Sequence, residues 1–228
     1  MDIKPFNESL KNLKGIIKNE SKFKEFIHLT LYLHSLVHVS KMSALNEQTY
    51  EDDLWEGLSD EVAKTAVNNK GRTVVYGTWH STRIEDITAN LLINNSKQVL
   101  NESWIKKINS PISDTGNQLS PEQVLAFSKV IKVDKLKNYR LEVGRKTQKI
   151  IKSLQFNDLK KKFSKNNLER IFQEKAVAKH PDAEWLADFW GNKDVAGIIL
   201  MPLIRHHMVH INESNRAKAR GKKKNKKS

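Results

Sequence analysis

The sequence predicts an all-α protein, a four-helix bundle with additional short helices and a disordered basic C-terminal tail. Three observations predict it. The 228 residues include only nine glycines and five prolines, and long stretches lack both, which argues against a sheet rich in tight turns. Apolar residues recur at steps of three and four through four long segments. Helix starts are marked by capping residues, most clearly at Ser120-Pro-Glu-Gln123. The length suits one domain with a sizeable core. The bundle is assigned to residues 1–218 and the tail to 219–228.

Residues 1–20 read as a short polar lead-in with partial helical character. Ser21 is the expected cap of a first long helix running to about Leu45. Phe26, Leu29, Leu33 and Leu36 give it an apolar stripe, and Ile27, Leu31, His34 and His38 run beside that stripe, so both histidines are expected to point inward. Thr49 to Val67 opens on Glu51-Asp-Asp53 and carries a short amphipathic piece with Leu54, Leu58 and Val62. Asn68-Asn-Lys-Gly71 is a turn. Thr73-Val-Val-Tyr76 has strand-like composition but is too short to stand alone. It is read as the entry to a second long helix, 73–94, with Ile84, Ile87, Leu91 and Leu92 on its core face.

Pro111 to Gly116 is a loop. The third long helix is expected over 120–154, with Val124, Phe127, Val130 and Ile131 early and Leu136, Leu141, Ile150 and Leu154 late on its core face. Residues 157–175 hold a shorter basic helix. Pro181 starts another, with Trp185, Phe189 and Trp190 expected inward. The last helix begins at Gly191-Asn-Lys-Asp194 and runs to about Ala219, kinked by Pro202 one turn before His206.

Hydrophobic residues make up 38% and charged residues 29%, which implies long polar helix faces. The absence of cysteine excludes disulfides, thiolate ligands and a cysteine nucleophile, so a metal site must use imidazole and carboxylate. The N-terminus lacks the apolar core of a signal peptide, and no apolar run approaches the ~18 residues of a membrane span. The expected location is cytoplasmic. The formal charge is +14, and Arg216 to Ser228 contributes eight cations and no acid. The tail Gly221-Lys-Lys-Lys-Asn-Lys-Lys-Ser228 therefore reads as a disordered appendage. Its charge permits contact with nucleic acid or an anionic surface. Aromatics are not interleaved with the basic runs, and no glycine-rich phosphate loop appears.

The histidines carry the chemical signal. His206 and His210 are one helical turn apart, so both can reach one ion. Arg205 precedes the pair and no glutamate lies between its members, which removes a His-Glu-x-x-His protease motif. His207 is rotated about 100° from His206 and is expected to be exposed or behind the ligands. A pair needs a further ligand, and the best candidate is His80 in Tyr76-Gly-Thr-Trp-His80-Ser-Thr-Arg-Ile-Glu-Asp86. Facing helices of a bundle are a natural place for such a site.

Trp79-His80-Ser-Thr-Arg83-Ile84-Glu85-Asp86, followed some 120 residues later by Arg205-His206-x-x-x-His210-x-Asn212-Glu213, resembles the DinB-like superfamily of four-helix-bundle metalloproteins. The resemblance covers about residues 20–218 in helix order as well as motif. It implies that His80, His206 and His210 hold a divalent metal, and it places the chain beside bacillithiol-dependent S-transferases and related thiol-dependent enzymes. The extra helical material around 157–190, the lysine tail and the His34/His38 pair depart from a minimal member. His34 and His38 are expected to border the metal pocket.

Three imidazoles leave coordination positions open, as in catalytic sites. One reading is an enzyme of S-transferase or hydrolase type that activates a low-molecular-weight thiol or water. Glu85, Asp86 and Glu213 would orient the ligating imidazoles from behind. Nitrogen ligation suits zinc or nickel first, and iron or copper as well. The expected partners are a small-molecule thiol or electrophilic substrate and a second copy in a homodimer. The alternative is a non-catalytic metal-binding helical module that engages a partner or nucleic acid through its basic tail.

Overall fold

The computed structural model describes residues 1–225. Helix α1 (Lys4–Ile16) replaces the expected polar lead-in and buries Phe6, Leu10, Leu13 and Ile16. These positions step by three and four, and α1 packs on α2 (Phe23–Leu36). Asn19 caps the 3₁₀ turn before α2, accepting from the Ser21 amide. Helix α2 stops well short of Leu45. The Arg140 guanidinium donates to the Val37 carbonyl at 2.7 Å, and the Ser40 amide donates to the Asp52 carboxylate at 3.1 Å. Backbone groups that would have continued the helix are thus taken by distant side chains.

Two short helices follow. Helix α3 (Tyr50–Trp55) has a capping box from Thr49 and Asp52, and α4 (Asp60–Thr65) is capped by Ser59. Gly71 turns the chain at φ +72°, where a Cβ would meet Pro121 Cβ at 2.5 Å. Thr73 then caps α5 (Val74–Ile87), which continues as a π-helical segment to Ile93. The strand-like run at its start is helical.

Every residue from Thr73 to Leu92 is buried. A helix buried on all sides is normally apolar throughout. Here Thr78, His80, Ser81, Thr82, Arg83, Glu85, Asp86, Thr88 and Asn90 are all enclosed. Groups of that kind must be paired inside the protein.

Helix α6 (Glu102–Ile108) precedes α7 (Pro121–Val130) and α8 (Val133–Ser153). Sequence periodicity predicts one helix over 120–154, but the chain breaks at Ile131, whose backbone is extended. The end of α6 captures the break. Asn109 Nδ2 donates to the Val130 carbonyl at 2.9 Å, and the Lys132 amide donates to the Ile108 carbonyl at 2.9 Å.

Helices α9 (Lys165–Gln173) and α10 (Pro181–Gly191) follow, reached from α8 through the turn at 156–160. Of the three α10 aromatics expected inward only Trp190 is buried; Trp185 and Phe189 are 49% and 37% exposed. They are four residues apart on one face, whereas Ala183, Leu186, Ala187 and Trp190 form the buried face.

Helix α11 (Val195–Leu200), a π segment (Met201–Arg205) and α12 (His206–Asn225) are continuous. Pro202 lies in the π segment, where the ladder of α-helical bonds is already interrupted. Helix α12 passes the expected end at Ala219. Gly221 packs where a Cβ would meet Val62 Cγ1 at 2.6 Å, and Lys218 Nζ donates to the Asp53 and Glu56 carbonyls at 2.9 and 2.8 Å. Residues 226–228 of the expected disordered tail lie outside the described residues.

The fold is all-helical, and among the described residues the only extended pairing is an isolated bridge between Lys162 and Asp194. Helix α5 packs against α12 and α8, α8 against α2, and α2 against the π segment before α12. No helix among the described residues is long and apolar enough to cross a membrane.

Candidate metal centre

Helices α5 and α12 form the most extensive helix contact, and Gly77 permits it: a Cβ there would stand 2.8 Å from Ser214 Oγ. One turn further along, the contact brings His80 to His206 and His210. One nitrogen from each ring lies within 4.8 Å of those of the other two. Ring centroids are 5.2 Å apart for His80 and His206, 4.7 Å for His80 and His210, and 4.4 Å for His206 and His210.

The orientation of these rings suits ligation. His80 Nδ1 lies 2.9 Å from the Thr115 carbonyl. A carbonyl only accepts, so Nδ1 carries the proton and Nε2 presents its lone pair towards the other two rings. His206 Nε2 and His210 Nε2 face each other at 3.1 Å, while neither Nδ1 makes a directed hydrogen bond. Three buried or half-buried ring nitrogens converging on one point are a donor set that fits a cation.

Burial, reinforced by repulsion among the neighbouring rings, holds His80 and His206 well below the usual imidazole range. Burial also lowers His210, against the pull of Glu213. All three are thus neutral at pH 7, the form that binds metal. His206 is only half-buried, so the triad has one side towards solvent.

Glu213 stands behind the triad, with Oε2 3.4 Å from His210 Nδ1. Burial would raise its carboxyl, but His210, Lys70 and Arg72 hold it well below the usual range. Lys70 Nζ and Arg72 donate to its two oxygens at 2.8 and 3.0 Å. The Tyr76 ring stacks on His80 with centroids 5.6 Å apart.

No family model and no curated protein matches the chain.

Glu85 and Asp86, expected behind the triad, lie elsewhere because α5 is enclosed on every side. Asp86 faces α8 and the loop after α5. It accepts from Arg83 at 3.0 Å, Tyr139 Oη at 2.7 Å, and the Val99 and Leu100 amides at 2.8 Å each. That carboxylate ties residues 99–100 to the centre of the fold.

Glu85 faces α2. His34 Nε2 is 2.7 Å from its Oε1, and His38 Nε2 and His207 Nε2 are each 3.0 Å from its Oε2. His34 and His38 therefore belong with Glu85 rather than bordering the triad. His207, expected exposed or behind the ligands, is fully buried in this second cluster. A signal for it was present: Leu203, His207 and Ile211 step by four along the apolar side of the π segment and α12. Arg140 is the other residue that sequence reasoning missed. It reaches His207 Nδ1 at 3.2 Å and Glu51 at 2.7 Å.

Proposed function

We propose that the chain is a divalent-metal-dependent enzyme whose ion is held by His80, His206 and His210. The convergence of three neutral imidazoles, one fixed in its tautomer by the Thr115 carbonyl, carries this reading. When bound, the ion supplies a Lewis acid that lowers the pKa of a low-molecular-weight thiol or a water. The chain then acts as an S-transferase or hydrolase without a cysteine of its own.

The residues divide the work. Thr115 orients His80, and Glu213 orients His210 while Lys70 and Arg72 fix that carboxylate. The partly exposed His206 marks the side on which substrate enters. Tyr76, stacked on His80, walls the site on that side. Nitrogen ligation favours zinc or nickel, and iron and copper fit it as well. A cytoplasmic DinB-like four-helix bundle is the parent architecture we infer. The helix order α2, α5, α8 and α11–α12 supports it, together with the spacing of the two histidine motifs.

The test is elemental analysis of untagged protein beside a His206→Ala/His210→Ala variant. The variant is expected to lose about one equivalent of transition metal relative to the native protein, together with any thiol-transfer or hydrolytic turnover. Equal metal content in the two proteins after reconstitution would remove this reading.

A further inference from the structure

The second cluster contains more ligating atoms than its hydrogen bonds explain. His34, His38, Glu85 and His207 are all between 0% and 1% exposed. Glu85 Oε1 is engaged by His34 Nε2. His38 Nε2 and His207 Nε2 both stand 3.0 Å from Glu85 Oε2, yet neither makes a directed hydrogen bond to it. His34 Nδ1 and Glu85 Oε2 are likewise left without one. Four orphaned polar atoms in one enclosed space are costly, because each forfeits its hydration.

Their spacing has an explanation. Metal–nitrogen and metal–oxygen bonds of ~2.0–2.2 Å place neighbouring ligand atoms roughly 3.3 Å apart on a tetrahedron. His34, His38 and Glu85 each offer one ligand atom, and these atoms all lie within 4.8 Å of one another. The approach is close enough to admit an ion without a reorganisation of the helices.

We propose that His34, His38 and Glu85 form a second, enclosed metal site for a divalent first-row transition ion, distinct from the triad and independent of its occupancy. His207 is a positioning residue of this site rather than a ligand. Arg140 has only protons to offer, so its contact at 3.2 Å makes His207 Nδ1 the acceptor. The proton of neutral His207 is then on Nε2, beside Glu85 Oε2. Arg140 thereby sets the tautomer of His207, so that its Nε2 turns a proton and not a lone pair towards the site. The ligands come from α2, the turn after it and α5, and His207 comes from α12. An ion here fastens together three segments whose contacts otherwise depend on packing. Two imidazoles and one carboxylate suit zinc, manganese or iron(II). The site differs from the triad in being wholly shut from solvent, which suits a structural ion.

Zinc is the probe for the test. Full-length untagged protein is stripped with a chelator, reconstituted with Zn²⁺, freed of excess ion and assayed for zinc per chain. Native protein is expected to hold two equivalents, and His206→Ala/His210→Ala one. Glu85→Gln and His38→Ala are also expected to hold one, with far-UV circular dichroism checking that each is folded. Loading the His206→Ala/His210→Ala variant with Co²⁺ should give d–d absorption, a readout that leaves the second cluster native. One equivalent in the native protein that is lost in His206→Ala/His210→Ala and kept in Glu85→Gln would overturn the second site. So would a cobalt-silent double variant. One equivalent that survives in the double variant and disappears in Glu85→Gln would instead uphold the second site and remove the triad reading.

Discussion

Arg140 is 4% exposed and pairs its guanidinium on every side: with both Glu51 oxygens at 2.7 Å, with the Val37 carbonyl, with Thr82 Oγ1 and with His207. Glu51 is itself 3% exposed. Breaking a buried pair from one side strands the other charge, which costs about 3–5 kcal/mol. Arg140→Met should therefore lower the urea midpoint by the equivalent of that loss at an unchanged slope. It should leave zinc at the triad intact, since none of the hydrogen bonds of Arg140 reaches His80, His206 or His210. A loss below about 1 kcal/mol would mean that Glu51 finds water or another donor. At this scale the triad was legible and its neighbour was not. The spacing of His206 and His210 within one helix is a local property that sequence exposes directly. The grouping of His34 and His38 with Glu85 needs residues 51 positions apart to meet. A rotation of about 100° from His206 does not carry His207 out of the protein, because Met208 and Ile211 are buried as well as His210.

Among the elements, α5 and α8 were read with different success. The extent of the helix expected over 73–94 follows from local signals, and α5 with its π segment covers Val74 to Ile93. The break between α7 and α8 and the early end of α2 do not. Both are made by side chains of other elements taking backbone groups, and no periodicity records that. The closeness of α8 to the turn after α2 rests on Gly144. A Cβ there would meet His38 Nδ1 at 2.9 Å and Met42 Cγ at 3.0 Å. Alanine in place of glycine within a helix ordinarily gains about 1 kcal/mol. Overpacking of a filled core ordinarily costs about 1–3 kcal/mol. The clash involves a fully buried imidazole that cannot swing to solvent, so the cost prevails. Gly144→Ala is expected to destabilise the protein by up to about 2 kcal/mol in chemical denaturation and to weaken zinc binding in the Glu85 cluster while sparing the triad. A stabilised variant with unchanged zinc content would show that His38 has room to move.

At the scale of the whole molecule, the polar interior makes stability depend on protons and metal together. Burial lowers the His38 and His207 imidazoles to about 3, with Arg140 adding to it and Glu85 opposing it. An unfolded histidine titrates near 6.5. Below about pH 6.5 the unfolded chain thus takes up protons that the folded chain refuses, so the contribution of these groups is complete above that pH and declines as pH falls towards about 3. Glu85 acts in the same direction at lower pH. Burial alone would raise its carboxyl, but His38, His34 and His207 hold it well below its ordinary value, so its contribution is lost under acid conditions. Chelator-treated protein should therefore show a urea midpoint that is level above about pH 7 and falls steadily from pH 6.5 to 4. A bound ion displaces protons from the same nitrogens and stabilises only the folded chain. Saturating zinc should raise the midpoint at pH 7 and move the onset of acid loss downward, by more in the native protein than in Glu85→Gln. A midpoint indifferent to pH between 7.5 and 5 in the metal-free protein would mean that water reaches the buried histidines and that the enclosed interior opens in solution.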